Sequence, residues 1–190
     1  MFIKNNFHID PCGWLIPAQH SLSPNRSERP HHTPISLLVI HNISLPPGQF
    51  GGAEIIDFFL NQLDHNQHPY FEQLKQLTVS SHLLIRRDGA VIQFVPFTQC
   101  AWHAGVSNFQ GRSQCNEFSI GIELEGTDNH PFTAIQYQTL ALISKTLMDA
   151  YPLITPQHIV GHSDIAPGRK TDPGALFDWQ KFYHCVSLIT

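Results

Sequence analysis

Residues 36–42 read SLLVIHN, a brief apolar run with a Leu/Val/Ile centre and polar residues at its ends. A continuous run of this length reads as a buried strand, and it is far too short to cross a bilayer. Successive side chains of a strand point to opposite faces, so Leu37, Val39 and His41 share one face. An imidazole is thereby carried at a strand end, where side chains leave the core and can reach a cleft.

Elements of both kinds follow. Pro46-Pro47-Gly48 breaks the chain, and residues 53–63 place Ile55, Ile56, Phe59, Leu60 and Leu63 at helical spacing. Residues 81–95 read as a hairpin turning at Asp88-Gly89, the pair a tight hairpin prefers. Residues 117–124 alternate, with Phe118, Ile120 and Ile122 on one face and Ser119, Gly121 and Glu123 on the other. The strongest helix covers residues 134–150: Thr133 and Gln136 fit a capping box, Ile135, Leu140, Ile143, Leu147 and Tyr151 form its apolar stripe, and Pro152 stops it. Residues 158–161 read as a short strand. A last helix covers about 175–188, with Leu176, Trp179, Phe182, Tyr183 and Val186 facing inward. Four or five strands interleaved with three or four helices predict an α/β fold.

At roughly 150 residues per domain, 190 residues predict a single domain, and 42% hydrophobic residues suffice for its core without disulfides. Residues 17–34, rich in Pro, Ser, His and Arg, read as irregular surface chain. The expected organisation is an irregular N-terminal segment, 1–35, packed on a domain spanning 36–190. Charged residues are only 14% and the net charge is −4, which argues against broad phosphate-backbone binding. No apolar segment of signal-peptide length follows Lys4. Cys12, Cys100, Cys115 and Cys185 lie far apart without a CxxC pair. Together these features predict reduced thiols in a cytoplasmic protein, acting as a monomer with neither nucleic acid nor membrane as partner.

Three segments concentrate reactive side chains: His41-Asn42, residues 121–126 (GIELEG) and residues 161–174 (GHSDIAPGRKTDPG). Two imidazoles and a carboxylate with a fourth position left open make the ligand set of a catalytic zinc. With 13 His and 15 acidic residues, spacing does not choose the triple. Taken alone, His41 is more often a hydrogen-bonded core histidine, His162 and Asp172 also read as a loop histidine and a helix cap, and Lys170 also reads as a surface cation. Glu123 and Glu125 share a strand face, so periodicity cannot separate them. The sequence contains no HExxH, GxSxG, GxGxxG or P-loop.

Five colinear stretches carry a more specific signal: VIHNISLPPGQFGG (39–52), SSHLLIRRDGAVIQFVP (80–96), AWHAGVSNFQGR (101–112), CNEFSIGIELEGTD (115–128) and GHSDIAPGRKTDPG (161–174). Together they resemble the N-acetylmuramoyl-L-alanine amidases of the zinc-dependent amidase 2 family, over about residues 36–188. The resemblance implies a mixed central β-sheet flanked by helices, as in phage T7 lysozyme and the peptidoglycan recognition proteins. It also implies hydrolysis of the amide between the muramic lactyl group and L-Ala, on small 1,6-anhydro-muropeptides in cell-wall recycling. An amidase of polymeric peptidoglycan and a non-catalytic muropeptide-binding sensor are the alternatives. Carried over, the zinc ligands are His41, His162 and Asp172, the general base and acid is Glu123, and the oxyanion stabiliser is Lys170. Asn42, His82 and Trp102 are substrate-binding candidates, although Asn42 also reads as a loop tie and Trp102 as core. His103 stands beside Trp102 without an assigned role. Thr78 and Gln114 occupy positions where related enzymes are expected to carry basic residues, which leaves the stem-peptide preference open.

Overall fold

A computed structural model of the chain describes residues 4–189. The N-terminal part contributes β1 (His8–Ile9), β2 (Leu15–Ile16), β3 (Gln19–His20) and β4 (Arg26–Glu28). There follow β5 (Leu37–Ile43), α1 (Glu54–Phe59), β6 (Leu83–Ile85), β7 (Val91–Gln93), β8 (Gln99–Ala101), β9 (Asn108–Phe109) and β10 (Arg112–Ser113). The chain continues through β11 (Ser119–Glu125), α2 (Ala134–Ala150), β12 (Ile159–Gly161), α3 (His162–Ile165) and α4 (Trp179–Ser187).

Six strands form one mixed sheet in the order β12-β5-β11-β6-β7-β3. The first four run parallel, and β7 is antiparallel to β6. Parallel strands are covered on both faces, so they read as continuous apolar runs. In β5, Leu38 and Ile40 enter the larger core, built with α2 and α4. Leu37 and Val39 face the opposite way, toward Ile165, Phe118 and Ala104. Ligands bind outside the carboxyl ends of parallel strands in open α/β sheets. That end carries His41 on β5, Glu123 on β11 and His162 just beyond β12. Register places Glu123 directly opposite His41.

Helix α2 has the expected limits and the Thr133–Gln136 capping box, although Ile135, at 42% exposed, lies outside the buried stripe. The hairpin closes through Arg86 and Ala90, with Gly89 at φ +85°. Helix α1 is shorter than its periodicity predicts: no side chain caps its start, and Asn61 adopts φ +59° just past its end. The last helix starts at Trp179, not near residue 175. Asp178 caps it by accepting from Lys181 N (2.9 Å), and Leu176 is 45% exposed.

The N-terminal segment is less irregular than expected. Strand β3 extends the main sheet and β4 pairs with β8. Its polar residues satisfy buried carbonyls: Ser23 Oγ donates to Phe59 O (2.6 Å), and Asn25 Nδ2 to Val79 O (2.8 Å). Buried polar groups require such partners, so a polar composition did not mean a solvated surface. All four cysteines are free thiols. Among the described residues, no helix is long and apolar enough to cross a membrane.

Candidate metal centre and active site

Three donor atoms from distant parts of the chain converge. His41 Nδ1 lies 3.0 Å from His162 Nδ1 and 2.9 Å from Asp172 Oδ2, and His162 Nδ1 is 3.0 Å from the same oxygen. His41 comes from β5 and His162 opens α3, whose first turn is tied by Gly161 N donating to Asp164 Oδ2 (2.7 Å). Asp172 is drawn back by Ser163 N donating to its carbonyl (3.0 Å). Gly174 lets this loop lie against the end of β11: a Cβ there would stand 2.3 Å from Asp128 Cα.

The protonation states suit a cation. Burial lowers the His41 pKa to about 4, against a partial rise from Asp172, so this imidazole is neutral at neutral pH. Burial alone would raise the Asp172 carboxyl, but hydrogen bonds and charge from His162 and His41 outweigh it and hold the group well below the usual carboxylate range. The outer nitrogen of His162 donates to Ala104 O (3.1 Å), which leaves its Nδ1 lone pair directed at the other two donors. A neutral His41 imidazole, the His162 Nδ1 and one ionised carboxylate, their donor atoms within reach of one centre, fit a metal ion.

The two acids on β11 differ sharply. Glu125 is buried and occupied: Oε1 accepts from Gly51 N (2.6 Å), Oε2 accepts from Arg87 N (3.0 Å), and Arg86 lies 3.5 Å away. Glu123 borders the cleft, yet its Oε2 is buried with no hydrogen-bond partner. Burial, and then the nearby Asp172 charge, push its pKa well above the ordinary value, with Lys170 partly offsetting them. A carboxyl so displaced can carry a proton near neutral pH. Lys170 lines the same cleft and forms no salt bridge among the described residues.

The cleft has a volume of about 830 Å³ and is lined by the three converging donors together with Phe58, Leu74, Leu77 and Trp102. Asn42 lies on its wall, with its amide donating to Asp128 Oδ1 (2.7 Å). Trp102 is partly exposed on the cleft wall, and its indole donates to Ser27 Oγ (3.2 Å). His82 does not line the cleft. It is fully buried, its Nδ1 accepts from Gly121 N (3.0 Å) and its Nε2 is 3.1 Å from Gln99 O. The expected substrate-binding position is therefore corrected: both nitrogens are used inside the protein. Thr78 lines the cleft, whereas Gln114 borders a neighbouring hollow beyond Trp102.

Small residues on β11 have a different use from the one their size suggests. Ser119 and Gly121 make room for the His103 ring rather than for a ligand, since a Cβ at Gly121 would stand 2.5 Å from it. His103, Asn116 and Arg169 all line the cleft, and sequence reasoning gave none of them a role. The one available signal was the small-residue face of residues 117–124 opposite a short AWHAG stretch.

A model of the N-acetylmuramoyl-L-alanine amidase family matches residues 31–175. The chain is 54% identical over 175 residues to the 1,6-anhydro-N-acetylmuramyl-L-alanine amidase AmpD of Escherichia coli K12, covering 92% of this chain and 95% of that protein. A crystal structure of a Se-Met AmpD derivative superposes with a TM-score of 0.90 at 53% identity, covering 96% of this chain and 99% of that one. The E. coli amidase AmiD, in complex with the substrate anhydro-N-acetylmuramic acid-L-Ala-D-gamma-Glu-L-Lys, superposes with a TM-score of 0.58 at 29% identity. That match covers 93% of this chain and 65% of AmiD.

Proposed function

This chain belongs to the N-acetylmuramoyl-L-alanine amidase family, and we propose that it is a zinc-dependent 1,6-anhydro-N-acetylmuramyl-L-alanine amidase. It hydrolyses the amide between the muramic lactyl group and L-Ala of small muropeptides, as a cytoplasmic monomer in cell-wall recycling. The amidase domain is assigned to residues 36–190, and residues 4–35 pack on it. The observation that carries the reading is the meeting of His41, His162 and Asp172 beside the unpartnered Glu123 oxygen in an open cleft.

His41 Nδ1, His162 Nδ1 and Asp172 Oδ2 are the atoms that would hold the ion. Zinc bound there supplies Lewis-acid chemistry, activating water and polarising the scissile carbonyl. Glu123 takes the proton released as water attacks the lactyl carbonyl carbon. It then passes that proton to the L-Ala nitrogen as the C–N bond breaks, leaving a lactyl carboxyl and a free peptide amine. One carboxyl can do both when its pKa lies near the working pH, and burial at Glu123 acts in that direction. Lys170 places an ammonium where negative charge develops on the carbonyl oxygen. Asn42 shapes the cleft wall through Asp128, and Trp102 offers a partly exposed ring for a sugar face.

The test is incubation with a 1,6-anhydro-muropeptide and its non-anhydro counterpart, with products followed by mass spectrometry and metal measured in the same sample. The expected result is release of the free peptide from the anhydro substrate by protein carrying one zinc. Zinc-loaded protein that releases no peptide from either substrate refutes the proposal.

A further inference from the structure

The outer nitrogens of both histidine donors end on two consecutive residues. His41 Nε2 lies 2.9 Å from His103 Nδ1, and His162 Nε2 lies 3.1 Å from the carbonyl of Ala104. The segment that joins them is itself clamped. Asn116 Oδ1 accepts from the backbone N–H of His103 (3.1 Å) and of Ala104 (2.8 Å). From the other side Arg169 Nη2 donates to the carbonyls of Ala104 (2.7 Å) and Val106 (2.6 Å).

The His103 ring is seated as firmly as its backbone. It fills the hollow left by the missing Cβ of Gly121, and its Nε2 is 3.1 Å from Ser119 Oγ. The His82 ring stands edge-on to it, with centroids 5.7 Å apart.

A neutral imidazole has one donor and one acceptor nitrogen. A carbonyl only accepts, so Ala104 fixes the His162 proton on Nε2. The Ser119 hydroxyl can accept, so a His103 ring with its proton on Nε2 presents a bare Nδ1 to His41. That arrangement gives His41 the same tautomer as His162.

We propose that the His103–Ala104 segment, clamped by Asn116, is a positioning device that holds both donor imidazoles in the Nε2–H form and aims both Nδ1 lone pairs at the metal. The proposal rests on the metal reading given under Proposed function. His103 and Asn116 are positioning residues, acting through His41 and His162. Hydrogen-bonded partners of this kind set ligand orientation and basicity, and their loss typically costs about 10–100-fold in metal affinity.

The experiment compares wild type with His103→Phe, His103→Asn and Asn116→Ala. The Phe side chain keeps the ring volume without an acceptor, whereas the Asn amide oxygen stands near the position of Nδ1. Imidazole ¹⁵N–¹H NMR of zinc-loaded protein reads which His41 nitrogen carries the proton, and competition with a chromophoric chelator reads the zinc Kd. The expected result is an Nε2–H His41 in wild type and a zinc Kd weakened about 10–100-fold in His103→Phe and Asn116→Ala. His103→Asn is expected to restore most of the affinity and the tautomer. A folded His103→Phe with wild-type tautomer and Kd overturns the proposal. Should that variant not fold, an Nδ1–H His41 in wild type overturns it equally. A wild-type protein that binds no zinc removes the metal reading, whereas one that binds zinc with the His41 proton on Nδ1 removes the positioning role alone.

Discussion

Replacing Glu123 by Gln is expected to make the enzyme more stable and much less active, and the two effects share one cause. Oε2 of Glu123 is buried without a hydrogen-bond partner, and burial together with the Asp172 charge pushes the carboxyl pKa well above its ordinary value. A group whose folded pKa is raised binds its proton more tightly in the folded state. Its ionisation therefore opposes folding: the penalty is absent below the unfolded pKa near 4.5 and grows as pH rises toward the folded pKa. Leaving a buried polar atom unpartnered costs about 1–3 kcal/mol, more when charged. Gln keeps the shape and leaves its amide equally unpartnered, but it cannot ionise, so the added cost of the charge is relieved and a gain on the order of 1 kcal/mol is expected at pH 8. In a chain of this size each kcal/mol shifts Tm by about 2–4 °C. Calorimetry on chelator-treated protein, where ion binding adds no stability, should show Glu123→Gln melting higher than wild type at pH 8 and level with it near pH 4. With zinc restored, kcat should fall about 10²–10⁴-fold, the usual worth of a positioned acid or base. A variant that melts no higher at pH 8 would show that this carboxylate is not held at a desolvation cost, and one that retains near-wild-type kcat would show that it does not move the proton.

Four further outcomes are expected. Exhaustive chelation should abolish peptide release and added zinc should restore it, as followed by product chromatography; turnover that survives chelation removes the metal assignment. Lys170→Ala should lower kcat by about 10²–10³-fold, the usual effect of losing one oxyanion donor, with a smaller change in KM in steady-state assays. Gly121→Ala should destabilise the fold by about 1–3 kcal/mol in urea titrations, because the new Cβ would press on a His103 ring already held by His41 and Ser119. Glu125→Ala should weaken the fold while sparing kcat, since it strands the backbone donors of Gly51 and Arg87; a selective loss of kcat would instead give this acid a chemical role.

The local signals in the sequence held where one short stretch decides its own conformation. The run SLLVIHN became β5 because both its faces are covered, and Thr133 with Gln136 marked the start of α2. Long-range partners were not legible. Glu123 and Glu125 share a face, and what separates them is that Gly51 and Arg87, far along the chain, occupy one acid and leave the other alone. His82 resembled a site residue until its nitrogens were found bonded to Gly121 and Gln99. The N-terminal segment reads as surface chain by composition, yet β3 finds an open strand edge on β7 and Ser23 finds a buried carbonyl on α1. The metal donors were named through family resemblance, since periodicity left many His and acid combinations open. The coordinates added how each donor is oriented.

Glu123 and His41 face each other across paired parallel strands, so their spacing is set by the backbone ladder of the sheet, about 4.7–4.9 Å from strand to strand. His162 follows directly on β12, the strand on the other side of β5, and Asp172 returns to it on a loop tied by Ser163 N. The rim can therefore be remodelled to change which peptides enter while the gap between the Glu123 carboxyl and the His41 imidazole stays fixed. A shift of one residue between the same two strands would instead turn one of the pair to the opposite side of the sheet and separate them at a stroke.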